Sequence, residues 1–157
     1  MIYHLILGAN LDEPTAMINQ ANGLIALVPG LRILRESSLI RTKPYGFEHQ
    51  EDFYNQVLEV ESSLTAQELL RNLLDIETRM GRIRFLKWGP RLIDIDILLA
   101  ADSVIQEDDL VIPHPDLHNR EFALRLLCEL VPDAMHPVLN KTMNELYNAL
   151  PHTGGDQ

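Results

Sequence analysis

Cysteine is almost missing from this sequence, and long apolar runs are missing altogether. With Cys128 alone, no internal disulfide can close, so the fold must be held by packing, as suits a reducing cytosol. Cys128 lies among Leu126, Leu127 and Leu130, the setting of a small core residue rather than a nucleophile. No apolar stretch approaches the roughly 18 residues needed to cross a bilayer. The opening MIYHLILGAN has neither a basic region nor a small-residue cleavage site, so no secretory signal is expected. Positive charge is also scarce. Thirteen Lys and Arg against 23 Asp and Glu leave a formal net charge of -10, which argues against the broad basic surface that nucleic acid demands.

What is present suits one soluble globular domain over 1–157: the length allows a sizeable core, and 46% of residues are hydrophobic and 23% charged. No repeat or linker divides the chain, and the tail over about 151–157 has no reason to be ordered. The few cations are clustered. Arg79, Arg82, Arg84, Lys87 and Arg91 are five of the 13 basic residues, which favours a local site for a small polyphosphate.

That cluster leads into Leu92-Ile-Asp94-Ile-Asp96-Ile-Leu98, an apolar run broken only by two aspartates. Side chains alternate across a strand, so Asp94 and Asp96 share one face and Ile93, Ile95 and Ile97 the other. Two carboxylates about 7 Å apart along a strand suit hard, oxygen-seeking cations. Neighbouring guanidinium groups would grip the phosphate such cations also bind. The alternative is a half-exposed strand with ordinary surface arginines. The Gly89-Pro90 turn and the basic cluster upstream favour magnesium and phosphate, the equipment of phosphoryl transfer.

The remaining pattern reads as strands and helices in alternation. Residues 2–7 predict a strand ended by Gly8. Pro14 opens a helix to about Val28, and residues 31–41 predict a second strand, bulged at Ser37-Ser38. The connection 43–52, with Tyr45 and Phe47, reads either as a substrate-covering flap or as a surface loop. Phe53 to Glu61 predicts a strand with Phe53, Asn55 and Val57 on one face. Thr65-Ala-Gln-Glu68 is a capping box for a helix with Gly81 at its C′ position. Val104-Ile105 and Leu110 to Ile112 predict a hairpin, Asn119 a cap for a helix to Leu130, and Thr142 to Glu145 the capping box of a last helix. His114 and His118 have metal-pair spacing, but Pro113 and Pro115 exclude a helix there and weaken a zinc reading. The order β-α-β-β-α-β predicts an α+β, ferredoxin-like antiparallel sheet with helices packed on one face, followed by short strands and helices. The active face would be the opposite one, or its rim.

Lys87-Trp-Gly-Pro-Arg91-x-x-Asp94-Ile-Asp96-Ile-Leu98 resembles the signature of the 6-hydroxymethyl-7,8-dihydropterin pyrophosphokinases of folate biosynthesis. Gly8-Ala-Asn10-Leu11, Arg41-Thr-Lys-Pro44, Phe53-Tyr-Asn55, Gly81-Arg-Ile-Arg84, Pro113-His114 and Asn119-Arg120-x-Phe122 extend the resemblance to about residue 150. Ala9 stands where the family commonly has Ser, and Lys87 where Arg is frequent, which puts a bidentate phosphate contact there in doubt. The resemblance implies a cytoplasmic, monomeric enzyme that moves the terminal pyrophosphoryl unit of ATP to the hydroxymethyl oxygen of a reduced pterin, releasing AMP. It implies two Mg²⁺ ions held by Asp94 and Asp96, with Arg82 and Arg91 stabilising developing charge. Glu77, Arg84, His114 and Arg120 would contact ATP. Phe53 and Phe122 would sandwich the pterin, Asn55 would hydrogen-bond it, and Thr42, Pro44, Tyr45 and Trp88 would line or close its pocket. Rival readings are a magnesium-dependent nucleotidyltransferase or phosphohydrolase, and a ferredoxin-like module that binds a ligand without turnover.

Overall fold

A computed structural model of the chain describes residues 1–10, 13–42, 53–82 and 93–151, residue 82 by its backbone alone. The connection 43–52, read as either a flap or a surface loop, the basic segment 83–92 and the tail 152–157 lie outside the described residues.

Strand β1 (Ile2–Ala9) is central, and α1 (Pro14–Ala26) follows it, opening on Pro14 as the sequence predicts. Buried Met17, Ile18, Ala21 and Ile25 recur at helical spacing and carry α1 onto the sheet. The chain reverses at Gly30, whose φ is 80° and whose missing Cβ would lie 2.8 Å from Ser63 Oγ. The positive φ favours glycine there, while the serine hydroxyl could turn aside.

The single strand expected over 31–41 is instead two, β2 (Leu31–Glu36) and β3 (Ile40–Thr42), both paired with β4 (Phe53–Ser62). Ser37 causes the break. Its N–H donates to Val57 O at 2.9 Å, while its Oγ accepts from Val57 N–H at 2.8 Å. A side chain thus takes over one ladder bond and turns the strand aside.

Helix α2 (Ala66–Arg82) starts on the predicted capping box: Thr65 N–H donates to Glu68 Oε1 at 2.8 Å, and Glu68 N–H to Thr65 Oγ1 at 3.1 Å. It does not stop before Gly81 but runs through it. Met80, just before it, is 2% exposed and buried in the core.

Strand β5 (Asp94–Ala100) completes the sheet in the order β2-β4-β1-β5, every neighbouring pair antiparallel, with β3 beside β4. On β5, Leu98 is an extra residue: Leu5 pairs with Ile97 and His4 with Leu99. Strands β6 (Ile105–Glu107) and β7 (Leu110–Ile112) form the expected hairpin. A cis Ile112–Pro113 bond follows, then a 3₁₀ turn over Leu117–Asn119, α3 (Glu121–Leu130) and α4 (Met143–Ala149). Asn119 does not cap α3. Its amide donates to Asp116 Oδ1 at 3.0 Å, and Arg120 takes the N-cap position without a side-chain bond. The predicted box at Thr142 and Glu145 does cap α4.

The helices do not keep to one face. Leu5, Leu7, Leu58, Val60, Ile95 and Ile97 share a core with residues of α1 and α2. Ile6, Val57, Leu98 and Leu99 form a second cluster with Ala123, Leu124 and Leu127 of α3 and Met143 and Leu146 of α4. The second face was expected to be open, but its middle carries apolar residues from three strands, and burying them calls for a cover. Cys128 packs at the margin of this cluster, and burial raises its thiol pKa, as befits a packing residue.

On the second face, His4 Nε2 meets Glu59 Oε2 at 2.9 Å, while Arg35 grips both Glu59 oxygens at 2.8 and 2.9 Å. His4 Nδ1 is buried without a partner, so a second ring proton would be stranded. Burial accordingly lowers the pKa of His4, outweighing the pull of Glu59, and likewise lowers that of buried His136. Unfolded histidine takes its proton near pH 6.5, above where these two do. Their contribution is therefore complete above that value and is lost as pH falls through it. Glu59, held low chiefly by Arg35, adds a second loss only below its ordinary value of 4.5. Thermal unfolding should show a lower Tm at pH 5.5 than at pH 7.5; a flat profile between them would contradict this account.

Candidate active site

At one end of the second face the apolar pattern gives way to polar side chains. Pairing across the sheet aligns Asp94 of β5, Gly8 of β1, Asn55 of β4 and Ile40 of β3. The next row inward holds Asp96, Ile6 and Val57. Asp94 and Asp96 are half-buried, while Ile93, Ile95 and Ile97 are buried in the first core. The alternation read from the sequence therefore holds.

Gly8 is there for space. A Cβ on it would come within 2.9 Å of Asn55 Oδ1, so the bare backbone lets the amide lie across β1 between the flanking strands. The other end of that amide donates to Thr42 Oγ1 at 3.1 Å. Thr42 pairs with Phe53, which is half-buried. Thr42, Phe53 and Asn55 are thus brought together by the β3–β4 pairing.

The outer edge of β5 is held by other elements. Ile95 N–H donates to Glu77 Oε2 of α2 at 2.6 Å, and Leu98 O accepts from His114 N–H at 3.0 Å. His114 Nδ1 accepts from Asp116 N–H at 3.1 Å, leaving Nε2 as the protonated nitrogen of the neutral ring. Burial and Arg120 lower the His114 pKa against the opposing pull of Asp96 and Asp116. Arg120 Nη1 lies 3.8 Å from Asp96 Oδ2, a charge contact beyond hydrogen-bond reach. The same guanidinium sits over the Phe122 ring, 5.8 Å from its centroid, so a ligand stacked on Phe122 would use the opposite ring face. Asp96, His114, Arg120 and Phe122 therefore form one group. Arg84, Arg91, Pro44, Tyr45 and Trp88 lie outside the described residues, as does the side chain of Arg82.

Among the described residues, no three His, Cys, Asp or Glu side chains gather as a metal cage. Asp94 and Asp96 nevertheless fit Mg²⁺, which takes hard oxygens and is commonly held by one or two carboxylates while water and substrate phosphates complete its shell. Structural zinc would need four donors. Two features escaped the sequence-based site. Gly8 matched a motif without an evident steric role. Asn10, just past β1, is 2% exposed, and its Oδ1 has no hydrogen-bond partner.

Residues 4–132 match the family model of 7,8-dihydro-6-hydroxymethylpterin-pyrophosphokinase. The chain belongs to that family. It is 40% identical over 142 residues to the 2-amino-4-hydroxy-6-hydroxymethyldihydropteridine pyrophosphokinase of Aquifex aeolicus, covering 90% of this chain and 88% of that one. The Haemophilus influenzae pyrophosphokinase is 37% identical over 134 residues, covering 85% and 84%. A folic acid synthesis protein of Schizosaccharomyces pombe is 37% identical over 153 residues; the match takes in 98% of this chain but 21% of the yeast protein. The fold is also that of the Plasmodium falciparum HPPK-DHPS protein crystallised with pterin and p-hydroxybenzoate, at a TM-score of 0.74 and 19% identity. That match covers 94% of this chain and 42% of the other. Pyrophosphokinase domains thus stand both nearly alone and as a fraction of longer proteins.

Gly8→Ala should fold, at a cost of about 1–2 kcal/mol in denaturant unfolding, while displacing the Asn55 amide. Its side-chain amide resonances should shift and lose the Thr42 hydrogen bond; unchanged resonances would refute the steric role of Gly8.

Proposed function

We propose that this chain transfers the terminal pyrophosphoryl unit of ATP to the hydroxymethyl oxygen of 6-hydroxymethyl-7,8-dihydropterin, releasing AMP. One observation carries the proposal: the Asp94/Asp96 pair and the Asn55–Thr42 amide–hydroxyl pair lie on the same sheet face, separated by the bare backbone of Gly8. One side suits cations and phosphates and the other a flat hydrogen-bonding ring, and the reaction joins those two.

In this scheme Asp94 and Asp96 hold two Mg²⁺ ions. When bound, these would neutralise phosphate charge and make the attacking hydroxyl more acidic. No side-chain base is assigned. Arg82 and Arg91 stabilise charge developing on the phosphates. His114, through Nε2–H, Arg120 and Arg84 take the nucleotide side, and Glu77 serves that side from behind the strand, through its bond to the Ile95 amide. Asn55 both donates and accepts toward the pterin. Phe53 and Phe122 supply aromatic faces, and Thr42, Pro44, Tyr45 and Trp88 complete the pocket. Attack falls on the β-phosphorus, with AMP as leaving group.

The strand order and the two split β-α-β units support the ferredoxin-like description, and one catalytic domain over 1–157 is inferred with it. The acidic charge and the lone cysteine support a cytoplasmic monomer acting on small molecules and not on nucleic acid. Among the described residues, no helix is long and apolar enough to cross a membrane.

Protein supplied with Mg²⁺, ATP and the hydroxymethyl pterin should release AMP in step with pyrophosphorylated pterin; ADP would mean a different transfer. Asp96→Ala should lose at least roughly 100-fold in turnover, more than is typical for a residue that only supports a ligand, with its Tm little changed. Near-normal turnover would rule out the cation-binding role.

A further inference from the structure

Glu77 holds the backbone at the residue between the two aspartates. Strand β5 is the sheet edge, and Ile95 N–H donates outward to Glu77 Oε2 at 2.6 Å. An edge amide of this kind would otherwise be left to water. A bond to a carboxylate is charge-assisted and roughly twice as strong as a neutral one. The helix that supplies the carboxylate is itself fixed, since Leu73 and Ile76 are fully buried and Met80 nearly so. Position 95 is therefore held from three directions. Its own side chain is buried in the first core. Its neighbours Asp94 and Asp96 pair with Gly8 and Ile6 of β1. Glu77 closes the remaining side.

A shift of the peptide at Ile95 would splay or twist both carboxylates at once, because they flank it on the same face. Cations bridging two carboxylates are sensitive to that geometry, and Mg²⁺ tolerates little departure from its octahedron. We infer that Glu77 is a positioning residue, whose hydrogen bond to the Ile95 amide sets the spacing and direction of Asp94 and Asp96 and thereby the affinity for Mg²⁺. The inference rests on the proposed cation-binding role of those two residues. Glu77 then influences the nucleotide through the aspartates, and its role needs a hydrogen-bond acceptor at the right distance, which the negative charge strengthens but cannot replace.

Three variants separate these contributions. E77Q keeps the acceptor and loses the charge, E77A loses both, and E77D keeps the charge on an arm too short to reach. Hydrogen exchange of the Ile95 amide, read in metal-free protein, should stay slow in E77Q and quicken in E77A and E77D. The Mg²⁺ concentration giving half-maximal AMP release should rise about 10-fold or more in E77A and E77D, in the range for residues that orient metal ligands, and stay within about 3-fold of the parent in E77Q. The KM for the pterin should not move in any of them. E77Q as impaired as E77A would overturn the inference in favour of a charge effect. A quickened Ile95 amide with unchanged Mg²⁺ dependence would reduce Glu77 to a purely structural role. If E77A fails to fold, the contrast between E77Q and E77D decides. Unaltered Mg²⁺ dependence in D94N and D96N would instead sink the cation-binding reading, whatever the Ile95 amide shows.

Discussion

The structure depends on one demand placed on β5: four consecutive residues must bury isoleucine on one side and present carboxylate on the other. Ile95 and Ile97 are 3% and 5% exposed, in the core shared with α1 and α2. Burying each such side chain contributes on the order of 2 kcal/mol, and a one-residue slip would forfeit both while driving two carboxylates into hydrocarbon. The hydrophobic core therefore fixes the direction of the aspartates more firmly than any hydrogen bond of their own could. The site inherits its precision from packing on the far side of the sheet.

The second face is divided by chemistry along its length. Its middle is apolar and covered by α3 and α4. One end carries the His4–Glu59–Arg35 group, where charges are paired with one another. The other carries Asp94, Asp96 and Asn55, half-buried or buried but not covered by the second cluster. Helix α3 links cover and site, because Arg120 at its N-cap and Phe122 in its first turn reach the aspartate end while the rest of the helix packs on Val57 and Leu98.

Much of this was legible in the sequence because it rests on short-range rules. Alternation placed the aspartates, and both capping boxes form as their residue spacing requires. The expectation of one uninterrupted strand over 31–41 failed at Ser37, because a hydroxyl that replaces a ladder bond looks like any other serine until its partner, twenty residues away, is known. The cap expected at Asn119 failed because α3 begins one residue later: Asn119 closes the preceding 3₁₀ turn, and Arg120 takes the N-cap position. Gly81 looked like a helix stop, but α2 runs one residue past it, and the exact end of a helix is the part of its pattern that sequence marks least firmly. The open second face was misjudged for a topological reason: nothing local states that helices following the βαββαβ core will return to its other side. Glu77 and Gly8 act through a backbone amide and through empty space, neither of which residue type alone reveals.

The extra residue at Leu98 has a wider meaning. Strand β5 serves two masters, the aspartate end and the anchoring of its far end beside Tyr3 and His4, and the bulge lets each keep its own phase with β1. It also sends two adjacent leucines toward α3 and α4, where strict alternation would send one. The dislocation therefore insulates the aspartate half: changes in length or packing beyond residue 98 can be absorbed there without rotating the acidic pair. That freedom suits a domain whose relatives occur both nearly alone and built into much longer chains.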